Sequence, residues 1–490
     1  MVLSPDIILA NRAYLDHTTP PGAEAPPPAG NGGLLAAVRP VIAPWHDGEG
    51  TTWIGAGRGE FDRDFTDPAG LERIETVRGP LRHQRLYFDD ATWQAHYAAV
   101  ANGFLWPLLH LVRRPLPDIT GYYPVPAAPP PATWSAYERV NAAFADAALR
   151  QPRRGTCWVH DYQLALVPAL LRKAGFPGRI GFFLHTPFPD LAVARDYLDD
   201  AGLGHVTAFV RGILGADLAG FQSEADVARF IEAACKLGVA EPISGGLAVA
   251  GRQVRLDAYP VGIDFDETLD VARRGALPPE ATAVIDPSLP LVVGLERADF
   301  TKGIPERLLA IAESFDAGNA FCYVGVAAPT REGVPAYDNL RQVIQDAAAR
   351  AQAAAARAGG RFLHLRAAIP WECVIALQRE GDIIFTSSLA DGMNIVPLQA
   401  AVAQSLREPA NRGTIITGED AGVANAFAGY RDDGLVPIDP LDTSAMARLL
   451  TEGVSGKLPR VSDRLVAAVR ENSAAAWATH FLADLENTPC

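Results

Sequence analysis

The fold class of this chain is decided by the segment Trp158-Val-His-Asp-Tyr162, together with Phe182-Phe-Leu-His-Thr-Pro187 shortly after it. Each segment is a run of apolar residues that stops at a polar one, the first at His160 and Asp161, the second at His185. A short apolar run flanked by helical patterns indicates a buried parallel strand. Ligands of open α/β sheets bind outside the carboxyl ends of such strands, so Asp161 and His185 are candidate ligand-binding residues. The alternative is that both residues only end a strand and bond the loop backbone.

Strand-like runs alternate with helix-like runs along the chain, which is the pattern of a parallel α/β protein. The main predicted strands are residues 7–10, 156–159, 180–184, 218–221, 291–294, 322–326, 382–385 and 414–417. They form two groups on either side of Ala258-Tyr-Pro-Val-Gly-Ile263, whose Pro and Gly favour a hinge. We therefore predict two doubly wound domains facing a cleft, residues 1–262 and 263–460, and a C-terminal helix, residues 461–490, that packs back on the first domain.

Length, charge and cysteine content narrow the classes of protein to which the chain can belong. A chain of 490 residues is too long for one ordinary core. The net charge of −14 argues against a nucleic-acid or anionic-membrane partner, so any phosphate must be bound by a few local cations. Five scattered cysteines fit a reducing cytosol and suggest neither a disulfide framework nor a metal site. With no signal-peptide pattern and no apolar run of membrane-spanning length, we expect a cytoplasmic protein.

A second motif, Gly294-Leu-Glu-Arg-Ala-Asp-Phe-Thr-Lys-Gly303, places Arg297 and Lys302 in a strand-to-helix loop. Pro305 favours a helix start just beyond them. Two cations beside a helix amino terminus can neutralise a pyrophosphate. The alternative is a solvated loop with two exposed charges.

A third motif, Ala390-Asp-Gly-Met-Asn-Ile-Val396, again follows a predicted strand. The pair Asp391-Gly392 places a carboxylate at a tight turn, followed by backbone N–H groups. Such an arrangement can bind sugar hydroxyls through the carboxylate and phosphate through the amides. An ordinary Asp-Gly turn is the alternative.

A fourth cluster is amino-terminal. Asn11-Arg12 ends the first predicted strand, and the segment Gly30-Asn-Gly-Gly-Leu34 contains glycines that would let the backbone approach a pyrophosphate. Tyr97 and Trp106 lie on a stretch of helical pattern, where core packing is the alternative role for both.

Taken together, these segments resemble the trehalose-6-phosphate synthase family, which is family 20 of the retaining glycosyltransferases. The motifs occur in the family's order from Arg12 to about Pro440: Asn-Arg, Gly-Gly-Leu, Leu-Trp-Pro, Val-His-Asp-Tyr, Gly-Phe-Phe-Leu-His-x-Pro-Phe-Pro, Glu-Arg-x-Asp-x-x-Lys-Gly-x-Pro-Glu-Arg, Ala-Pro-Thr and Asp-Gly-Met-Asn. That combination is far more specific than any one motif. The resemblance implies a GT-B glycosyltransferase fold with two Rossmann-like domains, an N-terminal acceptor domain and a C-terminal donor domain.

The resemblance also implies roles for individual residues. The implied donor-binding residues are Gly32, Gly33, Arg297, Lys302, Met393, Asn394, Ile395 and Gln399, with Asp391 holding the donor glucose. The implied acceptor-binding residues are Arg12, Tyr97, Trp106, Asp161 and Arg331. The implied catalytic residues are Asp161, His185, Arg297, Lys302 and Asp391.

The implied reaction is a front-face substitution with retention, in which the leaving phosphate accepts the acceptor's proton. The protein then has to stabilise the leaving diphosphate and the developing oxocarbenium ion. The resemblance implies no cofactor and no metal, because two cations take the metal's place. The expected partners are a nucleotide-glucose and a sugar or polyol phosphate, and a homo-oligomer is left open.

The sequence departs from the family pattern mainly on the donor side. Gln399 stands where the family has a ribose-binding Glu, and Leu398 stands where the family has a Lys. Ala390 stands where the family often has an Arg. The segment that ends at Arg331 is one residue shorter than in the family, so the alignment of Arg331 is uncertain. These changes suggest a divergent member and leave the donor nucleotide open. The principal hypothesis is synthesis of trehalose 6-phosphate from a nucleotide-glucose and glucose 6-phosphate, and whether the product is an osmolyte or a pathway intermediate is left open. The alternatives are synthesis of glucosylglycerol phosphate from glycerol 3-phosphate, coupling of cyclitols, and an inactive sugar-phosphate sensor.

Overall fold

The computed structural model describes residues 3–22, 32–46, 48–76, 78–112, 122–331 and 335–488. The chain divides into two compact units. The first unit comprises residues 1–111, 125–261 and 474–490, and the second comprises residues 112–124 and 262–473.

Two groups of strands account for the sheets of the described chain. In the first unit the strands are β1 (Ile7–Arg12), β2 (Thr52–Ala56), β3 (Leu71–Thr76), β4 (Gly79–Leu86), β5 (Thr156–His160), β6 (Arg179–Phe183), β7 (Leu218–Phe221), β8 (Glu241–Ile243), β9 (Gly246–Val249) and β10 (Arg252–Ala258). In the second unit they are β11 (Leu291–Arg297), β12 (Cys322–Ala328), β13 (Arg361–Leu365), β14 (Ile383–Phe385), β15 (Thr414–Gly418) and β16 (Leu435–Ile438). Each of the eight strands predicted from the sequence is therefore confirmed.

Helices connect these strands. They are α1 (Gly32–Val38), α2 (Asp90–Trp93), α3 (Trp106–Leu109), α4 (Pro131–Leu149), α5 (Val167–Lys173), α6 (Leu191–Arg195), α7 (Asp200–Ile213), α8 (Glu224–Lys236), α9 (Phe265–Arg274), α10 (Pro279–Thr282), α11 (Ile304–Asp316), α12 (Pro335–Ala358), α13 (Trp371–Glu380), α14 (Val396–Gln404), α15 (Gly422–Ala426), α16 (Thr443–Val454), α17 (Asp463–Glu471) and α18 (Ala474–Asn487). Residues Gln94–Leu105, between α2 and α3, wind as a π-helix, a rare form that is often found at functional sites.

The first unit is built on a ten-stranded sheet with the order β3-β4-β2-β1-β5-β6-β7-β10-β9-β8. Its strands run parallel from β4 to β10, and only the pairs at the two edges are antiparallel. Successive residues of β1 alternate between two buried cores, Ile7 and Leu9 on one face, Ile8 and Ala10 on the other. The strand is apolar from Ile7 to Ala10 because the sheet is covered on both faces there, and its last two residues, Asn11 and Arg12, are polar. Strand numbering reverses direction between β1 and β5, which makes that position a topological switch point.

The second unit has a six-stranded, fully parallel sheet with the order β13-β12-β11-β14-β15-β16. Numbered within the unit, this is the strand order 3-2-1-4-5-6 of a Rossmann fold. The switch point lies between β11 and β14. Two apolar cores again line the two faces, with Val293 of β11 in one and Ile384 of β14 in the other.

The C-terminal segment differs from its prediction. Residues 461–490 were expected to form one helix on the first domain, but α17 belongs to the second unit and only α18 to the first. The chain passes from the second unit to the first between Ser473 and Ala474, and Ser473 forms a parallel bridge with Ile263, also of the second unit. In the first unit, α18 packs closely on the sheet, and Gly181 allows this approach because a Cβ at that position would lie only 2.8 Å from the Phe481 ring.

The segment of residues 112–124 is a second difference, because it interrupts the first domain and is counted with the second unit. Its described end is attached to α11. The hydroxyl groups of Tyr122 and Tyr123 both donate to Glu306 Oε1, the former at 2.5 Å. Nothing in the local sequence pattern predicted that attachment, because its partners are 184 and 183 residues apart.

Five histidines, of which His83, His96 and His160 are buried and His185 and His364 are half-buried, have pKa values below the usual one, because loss of hydration disfavours the charged ring. The pKa is lowered to about 3 for His96 and His185, and to about 4 for His83 and His364. The pKa of His160 is also lowered well below its usual range, first by burial and then by His185. Four of the five lie in the first unit, and His364 lies in the second.

Candidate functional site

The switch point of the first unit carries a small pocket of about 140 Å³. Its lining residues are Ala10, Asn11, Arg12, Ala13, Leu34, Leu35, Trp53, Tyr97, His160, Asp161 and Gln163. The structure thus brings three predicted site residues together, Arg12 from the end of β1, Asp161 from the end of β5 and Tyr97 from the π-helix. The guanidinium of Arg12 donates to the Tyr97 hydroxyl at 3.2 Å. A cation, a phenol and a carboxylate around one pocket can bind a ligand that carries both an anionic group and hydroxyls.

Asp161 has a strained backbone, with φ 72° and ψ 167°. This region is populated almost only by glycine, and a residue held there costs on the order of 1–3 kcal/mol. Two hydrogen bonds hold it in place. Its N–H donates to the Phe183 carbonyl at 2.8 Å, and its Oδ1 accepts from the His185 N–H at 3.2 Å. Strain concentrated on a pocket carboxylate is typical of functional sites.

Buried His160 contacts half-buried His185, with His160 Nδ1 3.2 Å from His185 Nε2. Burial lowers the pKa of both rings, so both are neutral near pH 7. One of the two facing nitrogens must therefore carry the hydrogen, and that choice decides which tautomer His185 adopts. The sequence pattern singled out His185 after one predicted strand. It also placed His160 next to Asp161 at the end of the preceding strand, but gave it no role.

Trp106 and the two glycines are placed differently from Tyr97. Trp106 begins α3 and packs against His110 and Tyr162, with ring centroids 3.9 Å and 5.8 Å away, and it is not among the pocket's lining residues. Gly32 and Gly33 begin α1, whose next two residues line the pocket.

The switch point of the second unit carries the predicted donor residues other than Gly32 and Gly33, which lie in the first unit. Arg297 is the exposed last residue of β11, and Lys302 ends a 3₁₀ turn, Phe300–Lys302, before α11. Lys302 Nζ forms an ion pair with Asp391 Oδ2 from the loop after β14. Gly303 has a left-handed conformation with φ 57°, and a Cβ there would lie 2.2 Å from the Ser387 carbonyl oxygen, so only glycine fits.

The loop after β14 packs closely on the start of α15. The N–H of Gly422 donates to the Asp391 carbonyl at 3.1 Å, and that of Val423 to the Met393 carbonyl at 2.8 Å. A Cβ at Gly422 would lie 1.8 Å from the Gly392 carbonyl oxygen. Asn394 has φ 58°, Ile395 is the N-cap position of α14, and Met393 is buried. The loop is therefore held by backbone contacts that leave little freedom in the position of Asp391.

A buried ion pair lies beneath this loop. Arg307 of α11 pairs with Glu296 of β11, and the Arg307 guanidinium also reaches the Ser387 hydroxyl at 3.2 Å. Burial raises the pKa of Glu296, and Arg307 and Lys302 oppose that rise. Ser388 connects the ion pair to the site, since its Oγ lies 3.5 Å from Glu296 Oε1 and 3.2 Å from Asp391 Oδ2.

Two further predicted residues have distinct surroundings. Arg331 lies in the second unit with φ 48°, forms an ion pair with buried Asp299 and donates to the Tyr337 hydroxyl at 3.1 Å. Gln399 is half-buried on α14, whereas its neighbour Leu398 is part of the buried core. The replacement of a family Lys by Leu398 therefore puts an apolar side chain where apolar neighbours surround it.

The pattern-based prediction missed Ser388, Glu296 and Arg307. Glu296 and Arg307 were quoted inside a family motif but given no role, and their burial is not visible in the sequence. Ser388 follows a predicted strand, as the predicted ligand residues do, and that position was the available signal.

Two features are absent from the residues that the structure describes. In those parts of the chain, no group of three or more His, Cys, Asp and Glu side chains is placed to hold a metal ion. Nor does any helix there combine the length and apolar character needed to cross a bilayer.

A sequence profile of Glycosyltransferase family 20 matches residues 30–487. The chain belongs to this family. A UDP-forming alpha,alpha-trehalose-phosphate synthase 2 from Aspergillus fumigatus is 30% identical over 419 residues, 82% of this chain and 81% of the relative. A trehalose-6-phosphate synthase from Mycobacterium avium is 31% identical over 421 residues, 81% of this chain and 80% of the relative.

A solved structure extends the likeness to the fold. The crystal structure of a UDP-forming alpha,alpha-trehalose-phosphate synthase from Burkholderia xenovorans in complex with glucose-6-phosphate superposes with a TM-score of 0.77 and 26% identity. The match covers 98% of this chain and 99% of that chain. The family resemblance and the GT-B fold with two Rossmann-like units are thus confirmed, and this family 20 member is a glycosyltransferase.

Proposed function

We propose that this glycosyltransferase moves glucose from a nucleotide-glucose to a phosphorylated acceptor, with glucose 6-phosphate as the acceptor and trehalose 6-phosphate as the product. The observation that carries the proposal is the Lys302–Asp391 ion pair at the switch point of the second unit, where exposed Arg297 ends β11. Cations for a diphosphate and a carboxylate for sugar hydroxyls are what a nucleotide-sugar requires. The names of the Aspergillus and Burkholderia relatives, both UDP-forming, favour UDP-glucose as the donor.

The first unit would bind the acceptor. Its pocket presents Arg12 and Tyr97, which are suited to a phosphate, and Asp161, which is suited to hydroxyls. The relative crystallised with glucose-6-phosphate supports a sugar phosphate over a polyol phosphate. Arg331 enters the proposal only if its ion pair with Asp299 opens, because its charge is otherwise neutralised.

The proposed chemistry is front-face substitution with retention. Arg297 and Lys302 stabilise the negative charge that grows on the leaving diphosphate, while that phosphate takes the proton of the attacking hydroxyl. Neutral His185 can hydrogen-bond a sugar without adding positive charge next to an oxocarbenium ion. In this scheme two protein cations replace a metal ion, so transfer should proceed unchanged in excess EDTA.

The test is a product panel with the purified full chain. UDP-, ADP- and GDP-glucose are each incubated with glucose 6-phosphate or glycerol 3-phosphate, and products are identified by mass spectrometry. A phosphorylated disaccharide that yields trehalose after phosphatase treatment is the expected product. Glucosylglycerol phosphate would replace the proposed acceptor, and a folded protein without product from any pair would overturn the proposal.

A matched pair of lysine variants ties the product to the site. Lys302→Ala should abolish most turnover, since the variant loses a cation on the leaving group. Lys457→Ala removes an exposed lysine elsewhere in the second unit and should leave turnover unchanged. Equal activity of the two variants would contradict the assignment of the donor site.

A further inference from the structure

Ser388 is a buried serine whose hydroxyl faces the site carboxylate. It lies between β14 and α14 and is inaccessible to solvent. Its Oγ accepts a hydrogen bond from Asn394 Nδ2 at 3.0 Å. The hydroxyl has one hydrogen of its own, and two carboxylate oxygens are within reach, Asp391 Oδ2 at 3.2 Å and Glu296 Oε1 at 3.5 Å. The shorter contact favours donation to Asp391, because hydrogen bonds of hydroxyls weaken quickly beyond about 3.0 Å.

The same oxygen of Asp391 is shared by two donors. Lys302 Nζ and Ser388 Oγ both contact Oδ2, one as a cation and one as a neutral hydroxyl. A bound diphosphate would compete for Lys302, because its oxygens carry more negative charge than one carboxylate. Ser388 carries no charge and is not attracted to the diphosphate as Lys302 is, so its hydrogen bond to Asp391 can remain when the ion pair opens.

The neighbouring serine, Ser387, contacts the backbone that carries Lys302 rather than the Asp391 side chain. Ser387 Oγ lies 3.0 Å from the Lys302 carbonyl oxygen and 2.8 Å from that of Gly303, so it fixes the backbone that carries the lysine. Ser388 instead contacts the side chain of Asp391. Two adjacent hydroxyls thus hold the cation's backbone and the carboxylate separately.

We propose that Ser388 is a positioning residue that keeps the Asp391 carboxylate aimed at a donor sugar hydroxyl when Lys302 leaves it for the diphosphate. The proposal rests on the proposed glucosyl transfer and adds a residue to its donor site. Ser388 does not touch the diphosphate, so its effect should be confined to the sugar half of the donor. Removing the hydroxyl should therefore weaken binding of a nucleotide-sugar but not of the nucleotide alone.

The experiment compares UDP with UDP-glucose by titration calorimetry on the full chain, without acceptor. Ser388→Ala should keep UDP affinity within about twofold and lower UDP-glucose affinity about fivefold to tenfold, the effect of losing one hydrogen bond of ordinary strength. Ser405→Ala is the control, because its hydroxyl only donates to the Val402 carbonyl at 2.7 Å at the end of α14. Where the product panel selects another nucleotide, that nucleotide and its glucose conjugate replace the UDP pair.

A double-variant cycle shows whether Ser388 acts through Asp391. In an Asp391→Ala background, which has no side-chain acceptor at this position, Ser388→Ala should cause no further loss of UDP-glucose affinity. An equal loss for UDP and UDP-glucose would mean that Ser388 only supports the loop, and no loss for either would mean that it does not hold Asp391; both results overturn the inference. A wild-type protein that binds no nucleotide or nucleotide-glucose of the panel would overturn the proposed function itself, and the role of Ser388 with it.

Discussion

Replacing Arg307 with Met tests whether the buried Arg307–Glu296 ion pair stabilises the second unit beneath the loop that carries Asp391. Arg307→Met keeps most of the side-chain volume but leaves the Glu296 carboxylate buried without its cation. The carboxylate can escape this state by taking up a proton. At pH 7 that costs about 3.7 kcal/mol, because the free pKa of Glu is about 4.3 and each pH unit is worth about 1.36 kcal/mol. The value agrees with the roughly 3–5 kcal/mol typical of broken buried ion pairs.

The cost should depend on pH in a defined direction. In the variant, the folded state holds a proton on Glu296 that the unfolded state has lost, so its stability relative to wild type falls as pH rises. At pH 5.5 the same arithmetic gives a penalty of about 1.6 kcal/mol. Adding Glu296→Gln should remove most of the penalty at both pH values, because a neutral amide needs no proton.

Urea unfolding measures this penalty. The loss of about 3.7 kcal/mol at pH 7 should move the urea midpoint of the second unit down by about 1.2–3.7 M, given slopes of roughly 1–3 kcal/mol/M. Circular dichroism follows both units, whereas tryptophan fluorescence follows mainly the first unit, which contains every tryptophan except Trp371. A penalty that is the same at pH 7 and pH 5.5, or that persists in the double variant, would refute the electrostatic argument.

Three other predictions concern the site and the fold. Arg297→Ala should lower turnover on the order of 100-fold or more, because the side chain acts on the leaving group, and should leave the urea midpoint unchanged, because the side chain is exposed. Arg448→Ala, at another exposed arginine, is the matched control. Near-normal turnover of a folded Arg297→Ala variant would contradict the role. Gln399→Glu should change the ranking of UDP-, ADP- and GDP-glucose in competition assays if this position contacts the ribose, and an unchanged ranking would show that the nucleotide is selected elsewhere. The free energy of unfolding of the wild-type first unit should fall by about 1 kcal/mol for each histidine with a lowered pKa between pH 7.5 and pH 5.5, because the unfolded rings take up protons below about pH 6.5 and the folded ones do not. The urea midpoint followed by fluorescence should therefore be lower at pH 5.5, and equal midpoints at the two pH values would exclude this.

The central strands were predictable because both faces of each are buried. A parallel strand in such a sheet must be apolar at every position, and runs such as Leu291–Gly294 stand out for that reason. The edge strand β3 and its neighbour β4 lack this signal, since β4 contains His83 and Arg85 at buried positions. Arg85 is buried only because it pairs with Asp62 at 2.9 Å and Glu72 at 2.8 Å, partners that the local pattern does not show.

The same distinction applies to the candidate site. Motifs that end a strand, such as those of Asp161 and Lys302, could be placed from the sequence because strand ends share one edge of a sheet. The pairing of Lys302 with Asp391 spans 89 residues and depends on the order of the strands, which the local pattern does not encode. The strained backbone of Asp161 and the contact between His160 and His185 likewise arise only when strands β5 and β6 are neighbours.

The exposure of the ion pairs explains how an acidic chain can keep positive charge available for a diphosphate. Three cations near the switch point of the second unit are paired with carboxylates, but to different depths. The side chains are 1% and 0% exposed in Arg307–Glu296, and 7% and 0% in Arg331–Asp299. In Lys302–Asp391 they are 12% and 17% exposed, so water can solvate both ends when the pair opens. Opening a deeply buried pair strands a charge, whereas opening the shallow one costs far less. The lysine can therefore exchange its carboxylate for a phosphate, and Arg297 beside it needs no such exchange because it is already exposed to solvent.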